Sequence, residues 1–315
     1  MIKIIWPNPS KEDYDLASKY GYTPQLIARW RMLIGDEVKD LVEAIEKYRR
    51  VFIRVNTLKI SPKKLKRRLE EEGFLLRETF LEYAFEVLRS PYALSSSKEH
   101  LLGYFYIQDL SSIIPPLLLD PKPHESILDL AAAPGGKTTH IAQITEGKAK
   151  IVAVDISRKR MASMRSNVNR LGISNIIMIR ADGRKIVSYG VKFDKVLLDA
   201  PCTGEGVIPR DHSRKTIRLK EYESRVRLQR DLLRVAYEIL KPGGLLVYST
   251  CTYSPEENEE NIKFAIEELN MELMDDWPIY DFRPSNGYNM KGVWRAYTHR
   301  QNTLGAFYAV LRKPE

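Results

Sequence analysis

The sequence predicts an α/β protein in two parts. A smaller α+β region comes first, and a mostly parallel sheet covered by helices on both faces follows it. Three observations predict this. From about residue 116 short apolar runs alternate regularly with helical patterns. One of those runs, SILDLAAAPGGKT at 126–138, passes from strand to helix through a turn of small residues. The strands after it end, in order, at Asp155, Asp182, Asp199-Ala-Pro-Cys202 and Thr250-Cys251, and in such sheets ligands lie beyond the carboxyl ends of the strands.

In chain order, residues 1 to about 10 are Pro-rich and are expected to run along the surface. Thr23-Pro24 reads as N-cap and first helical residue, with Leu26, Trp30, Leu33 and Ile34 at helical spacing. Gly35-Asp36 breaks and recaps, and Val38, Leu41, Val42 and Ile45 give a second helix. VFIRVNTL is a strand, Ser61-Pro62 opens a third helix ending at Gly73, and FLLRETFLEYAFEVL reads as a hairpin. The domain boundary is expected near residue 115, giving 1–115 as a helical and RRM-like region and 116–315 as the catalytic domain. Beyond it the pattern gives ESILDLA, a helix over 137–145, KIVAVDI, a helix over 158–171, NIIMIRAD, FDKVLLDAP, a helix over 221–240, GLLVYSTC, a helix over 255–269, and a last strand around GAFYAVLRK. This is a Rossmann-like alternation, with right-handed crossovers expected.

With 43% hydrophobic and 29% charged residues, the chain has the composition of a soluble globular protein. No apolar run is long enough to span a bilayer, and MIKIIWPNPSKED lacks the apolar core of a signal peptide, so a cytoplasmic location and no membrane partner are expected. Fifty Lys and Arg against 41 Asp and Glu give a formal charge of +9, which suits a polyanion. The third helix concentrates this charge in Lys63, Lys64, Lys66, Arg67 and Arg68 around Leu65 and Leu69. Such a face is solvated by default, but in a basic chain with a nucleotide-type domain behind it RNA backbone contact is the better reading. The two cysteines have no partners at metal-ligand spacing, so no metal site is expected.

The turn at 131–137 separates three ligand classes. A P-loop needs glycine where Ala131 stands, and a dinucleotide fingerprint G-x-G-x-x-G is absent. What remains is the looser turn of S-adenosylmethionine-dependent methyltransferases, formed by Ala131, Ala132, Ala133, Pro134, Gly135, Gly136 and Lys137. Asp155, about 20 residues on, stands where a carboxylate takes the ribose hydroxyls. Asp182 would then face the adenine edge, and Asp199 the methyl donor and target base. Any one of these acids alone would be a turn or N-cap residue, but three around one crevice favour the cofactor. A free cysteine is usually a small buried hydrophobe. Here both cysteines, Cys202 and Cys251, fall at the ends of strands expected to be neighbours. Thiols are needed when the methyl acceptor is an unactivated ring carbon: C5 of a pyrimidine becomes nucleophilic once a thiolate adds at C6. Lys137 and a helix N-terminus are expected to lower a thiol pKa here.

These motifs (SILDLAAAPGGKT, VAVDIS with Arg160 after it, ADGR, DAPCTGEG, VYSTCTYSPEENE, and upstream FIRVNTLK and GYFYIQDLSS) resemble the cytosine-C5 RNA methyltransferases of the Nop/Sun family. The likeness is to an archaeal tRNA enzyme and covers nearly the whole chain from about residue 50. It implies that Cys251 is the nucleophile, that Cys202 assists elimination, and that Asp199, supported by Lys137, holds the cytosine. It also implies that the 131–137 loop with Asp155, Asp182 and Arg160 binds S-adenosylmethionine, and that RNA is the partner, tRNA ahead of rRNA. Two stretches depart from the family pattern: VIPRDHSRK leaves Arg210 only as a candidate substrate contact, and THRQNTLGAFYAVLRK places Gly305 and Phe307 but gives Arg300 no role. A DNA cytosine-C5 methyltransferase would instead use the Pro-Cys thiol, Cys202, as nucleophile, and the Thr-Cys motif argues against it. A non-catalytic RNA-binding factor would not need Lys137, Asp199, Cys202 and Cys251 together.

Overall fold

The structure is a computed structural model and describes residues 4–279 and 281–315. Of the expected surface run, residues 1–3 lie outside the described residues, and residues 4–10 form neither helix nor strand. The chain folds into two compact units. One comprises Arg50–Asp199 and Glu238–Val247; the other comprises the described residues up to Arg49, Ala200–Tyr237 and Tyr248–Pro314. No described helix is long and apolar enough to cross a membrane.

The first of these units opens with a β-α-β-β-α-β run: β1 (Phe52–Val55), the helix Pro62–Glu71, β2 (Leu75–Glu78), β3 (Ala84–Arg89), the short helix Lys98–Leu101 and β4 (Phe105–Ile107). The sheet order β2-β3-β1-β4 is antiparallel throughout, the ferredoxin-like arrangement. Ser61 caps its first helix by accepting from Lys64 N, and Leu65 and Leu69 pack with Ile53, Val55, Phe74, Phe85 and Phe105. The opposite face of β1 carries Phe52, which packs with Leu110 and Ile113 of the helix Leu110–Leu119. Pro115 and Pro116 lie inside that helix, because burial of Ile113, Ile114, Leu118 and Leu119 outweighs local propensity.

Then come β5 (Ser126–Asp129), β6 (Lys150–Asp155), β7 (Ile176–Arg180), β8 (Phe193–Asp199) and β9 (Leu240–Thr250), in the order β7-β6-β5-β8-β9. Pairings β5–β6, β6–β7 and β5–β8 are parallel. The order reverses between β5 and β8, so the ligand crevice of such a fold is expected at their carboxyl ends. The helices Gly136–Ile144 and Arg158–Leu171 follow β5 and β6.

The other unit packs the helices Lys11–Tyr20, Pro24–Ile34 and Val38–Lys47 around Leu26, Ile27, Trp30, Val38, Leu41, Val42, Ile45, Ile208, Tyr253 and Tyr297. The helix Lys11–Tyr20 is an addition to the sequence reading. Its capping box is plain: Ser10 Oγ accepts from Asp13 N, and Asp13 accepts from Ser10 N at 2.8 Å. This unit also holds β10 (Glu272–Met274), β11 (Ser285–Gly287), β12 (Met290–Ala296) and β13 (Ala306–Arg312), paired antiparallel as β11-β12-β13 with β10 on β13. The helix expected over 255–269 begins only at Glu259. The side chains just before it, Glu256 to Asn258, are drawn into buried hydrogen bonds incompatible with a regular first turn.

Candidate active site

In the unit that holds β5, the turn between Asp129 and the helix Gly136–Ile144 is fixed from all sides. Thr138 Oγ1 donates to Asp129 Oδ2 at 2.6 Å, and Ala132 N donates to the Val154 carbonyl at 2.9 Å. Gly135 has φ +96°, and a Cβ there would lie 2.9 Å from Met164 Cγ, so only glycine makes the turn. Asp155, ending β6, is buried; its Oδ2 accepts from Ala133 N at 3.1 Å and its Oδ1 from Ser157 N at 2.9 Å. Arg160 donates to the Ala133 carbonyl and lies 3.5 Å from Asp155. Asp182 caps the 3-10 turn Gly183–Tyr189 and is held in its charged form by Arg184, which pulls its pKa down. Lys137 Nζ donates to Asp199 Oδ2 at 2.6 Å, at the end of β8.

Asp129 is the residue the sequence reading left without a role. It is fully buried, and burial, with the Asp199 charge adding to it, pushes its carboxyl up to about 7. Its signal was an acid interrupting an otherwise apolar strand.

In the other unit the two thiols meet. Cys202 Sγ and Cys251 Sγ are 3.1 Å apart, both free, and Cys251 N donates to Cys202 Sγ. The residue after each is threonine, and Thr203 Oγ1 and Thr252 Oγ1 are 2.8 Å apart. Glu257 closes the arrangement: it accepts from Thr203 N at 3.0 Å, Thr203 Oγ1 at 2.5 Å and Gln229 Nε2 at 2.8 Å. The loop after Cys202 is pinned by buried Glu205, which accepts from Trp30 Nε1, Tyr222 Oη and Tyr253 N. Gly206 N donates to the Cys251 carbonyl, and Gly305 N to the Gly206 carbonyl.

The sequence reading expected a lowered thiol pKa, and Cys202 goes the other way. Its hydrogen bond with Cys251 and its burial hold the thiol well above its ordinary value. Either sulfur can donate the hydrogen bond between them. Glu257 is pushed up to about 7, chiefly by burial.

Arg210 is exposed, and Arg300 is engaged elsewhere, donating to both Glu37 oxygens at 2.8 and 2.6 Å. Five basic side chains lie along the helix Pro62–Glu71, and some pair with acids: Lys66 with Glu78 at 2.7 Å and Arg68 with Glu99 at 2.8 Å. Lys63, Lys64 and Arg67 are exposed and line a groove of about 840 Å³ with Phe80 and Phe85.

The chain is similar to known proteins over both units. Residues 116–312 match the model of the 16S rRNA methyltransferase RsmB/F family, and residues 24–92 match the RsmF/B-like ferredoxin-like domain. The chain is 46% identical over 221 residues to the tRNA (cytosine(72)-C(5))-methyltransferase of Pyrococcus horikoshii, covering 70% of this chain and 55% of that protein. It is 34% identical to the tRNA (cytosine(49)-C(5))-methyltransferase of Pyrococcus abyssi, covering 96% of this chain and 99% of that one. The structure of NSun6 from Pyrococcus horikoshii with SFG superposes with a TM-score of 0.85 at 33% identity, over 92% of this chain and 98% of that one. The chain spans about half the length of several curated relatives it matches. With the matched model spanning the sheet from the helix Leu110–Leu119 to β13, and both thiol motifs inside it, the chain belongs to the RsmB/F methyltransferase family.

Proposed function

We propose that this protein transfers a methyl group from S-adenosylmethionine to C5 of a cytosine in RNA, with tRNA as the substrate and rRNA as the second reading. The observation that carries it is the pair of thiols 3.1 Å apart, one following Asp-Ala-Pro and the other Ser-Thr. An acceptor carbon that must be activated by addition needs a nucleophile, and a thiolate supplies one. The tRNA reading is favoured by the near-complete match to the cytosine(49) enzyme, a protein of similar length.

The residues of the turn suit the cofactor. Asp155 accepts two backbone N–H groups, and a carboxylate offers about four acceptor sites, so it can also take ribose hydroxyls. The loop Ala131–Lys137, Arg160 and Asp182 complete the proposed binding set. When bound, the cofactor supplies an electrophilic methyl group on a sulfonium. Asp199, held by Lys137, orients the cytosine through N3 and its exocyclic amine. The Cys251 thiolate adds to C6, raising electron density at C5, which takes the methyl group. Loss of the C5 proton then restores the ring and expels the Cys251 thiolate. The C5 proton passes to water, and Cys202, 3.1 Å from Cys251, assists the elimination by stabilising the departing sulfur with an S–H hydrogen bond. The target base is taken out of its stack at a cost of about a few kcal/mol. Residues up to about 115 hold the RNA and residues 116–315 perform the chemistry, in the cytoplasm.

The test is transfer of labelled methyl to tRNA and rRNA, with nucleoside analysis and denaturing gels. Wild type should yield 5-methylcytosine in tRNA, Cys251→Ala should yield neither product nor adduct, and Cys202→Ala should accumulate a gel-stable protein–RNA adduct. Activity retained in Cys251→Ala and lost in Cys202→Ala overturns the thiol roles. No transfer to any RNA overturns the reading as a whole.

A further inference from the structure

The motif RVNTLK, at 54–59 in the ferredoxin-like region, has no role in the mechanism above, and its polar side chains have an unexpected destination. Arg54 is 1% exposed. Its Nη1 donates to Gln108 Oε1 at 2.9 Å and to the Gly136 carbonyl at 2.7 Å, and its Nη2 donates to Thr139 Oγ1 at 2.9 Å. Nε has no hydrogen-bond partner among the described residues. Two residues on, Asn56 Nδ2 donates to the Leu171 carbonyl at 2.9 Å, and Lys59 Nζ donates to the Arg170 carbonyl at 2.8 Å. The segment therefore grips the start of the helix Gly136–Ile144 and the end of the helix Arg158–Leu171.

Asn56 and Lys59 suit their places, since donors and positive charge are favoured at a helix C-terminus. Arg54 does not. All three of its acceptors are neutral, whereas the other fully buried arginines, Arg29 and Arg295, pair with Glu256 at 2.7 Å and Glu259 at 2.5 Å. Burial lowers the Arg54 pKa to about 10, still far above neutrality, and the groups acting on it by charge are Tyr106 and Tyr83 rather than any carboxylate. Burial and Arg54 together keep the neighbouring His140 neutral. The Arg54 cation also sits at the N-terminal end of a helix, where the dipole is already positive. A buried charge without a carboxylate partner is costly; the Tyr106 ring, 5.6 Å from the guanidinium, offsets part of that cost, and the bond to the Gly136 carbonyl sets the cation beside the turn Gly135–Lys137. An anion bound at that turn would be favoured by the helix end and by Arg54 together.

We propose that Arg54 is a positioning residue for the carboxylate of the amino-acid end of S-adenosylmethionine, holding the Gly136 carbonyl and supplying the positive potential that the carboxylate neutralises. This rests on the cofactor reading given above. It ties cofactor affinity to a residue of the ferredoxin-like region and gives the RVNTLK segment a task other than contact with RNA.

The experiment is calorimetric titration of wild type, Arg54→Met and Arg54→Lys with two ligands. S-adenosylhomocysteine has the carboxylate, and 5′-methylthioadenosine shares the nucleoside but lacks the amino-acid end. Arg54→Met should raise the Kd for S-adenosylhomocysteine about tenfold, or ~1.4 kcal/mol. Its Kd for methylthioadenosine should stay within about twofold of wild type, and Arg54→Lys should fall between wild type and Met on the first ligand alone. Equal losses on both ligands, or no loss on either, overturn the proposal. If Arg54→Met fails to fold, the comparison is made in Arg54→Lys, with S-adenosylhomocysteine and its carboxyl methyl ester as ligands; a preference for the free acid that Lys leaves at its wild-type value overturns it. Failure of wild type to bind either nucleoside is a different outcome, which removes the cofactor reading itself.

Discussion

Glu257 is the residue through which the thiol site can be tested by stability as well as by rate. Its carboxyl is fully buried and accepts three hydrogen bonds, two of them from Thr203, the neighbour of Cys202. Replacement by alanine leaves the Thr203 N–H without a partner away from water, at a cost of about 1–3 kcal/mol, and slackens the loop that sets the Cys202 position. Replacement by glutamine keeps every bond. The amide oxygen accepts from Thr203 N and Gln229, and the amide nitrogen donates to Thr203 Oγ1, whose own proton turns to Thr252 Oγ1. Both variants also differ from wild type in pH dependence. The wild-type carboxyl is raised from 4.5 to about 7 in the folded protein. The folded chain thus keeps a proton that the unfolded chain has released. The stability this confers is complete below about pH 4.5 and is lost as pH rises through about 7. A gap of that size corresponds to ~3 kcal/mol. Glu257→Gln never ionises, so its stability relative to wild type should rise by up to that amount between about pH 4.5 and pH 8. Thermal melts across that range are the assay, because other titrating groups cancel in the difference. Near pH 8 Glu257→Gln should melt several degrees above wild type, while Glu257→Ala should melt below the Gln variant at every pH. Parallel melting curves for wild type and Glu257→Gln would refute the buried, proton-holding carboxyl.

Two further outcomes follow from packing and from charge. Gly305→Ala places a Cβ 2.2 Å from Tyr253 Oη. Tyr253 cannot retreat, being fully buried, stacked on Tyr297 and edge-on to Trp30, so a loss of ~2–3 kcal/mol in denaturant unfolding is expected. The double variant Lys63→Glu/Lys64→Glu should weaken tRNA binding and flatten its dependence on log salt by up to about 2 in slope, read by filter binding at several salt concentrations, with the melting temperature unchanged.

What the sequence made legible was whatever is periodic or local. The strand–helix alternation from β5 to β9, the helix over 158–171 and the hairpin β2–β3 are each written in the spacing of apolar residues, and each is present. So is the approach of the two thiols, because strand ends place the residues that follow them and β8 and β9 are neighbours. Three things were not legible, and for one physical reason: each depends on what a polar side chain meets far away in the chain. The helix after Cys251 starts late because Glu257 and Asn258 turn to Thr203 and Thr252. The thiol pKa moves up because Cys202 faces a second thiol and a buried carboxyl instead of a cation. Arg54 and Lys59, which look like ordinary basic residues of an RNA-binding strand, are turned toward helix ends more than eighty residues on. Pro115 and Pro116 make the same point in reverse, since a strong local breaker yields where burial on both sides rewards a helix. A basic residue in such a chain is therefore a candidate for RNA contact only once both its exposure and its partners are known. Arg54 is buried, and Lys59 and Arg300, though exposed, are spent on acceptors within the protein, which leaves Lys63, Lys64 and Arg67 as the candidates.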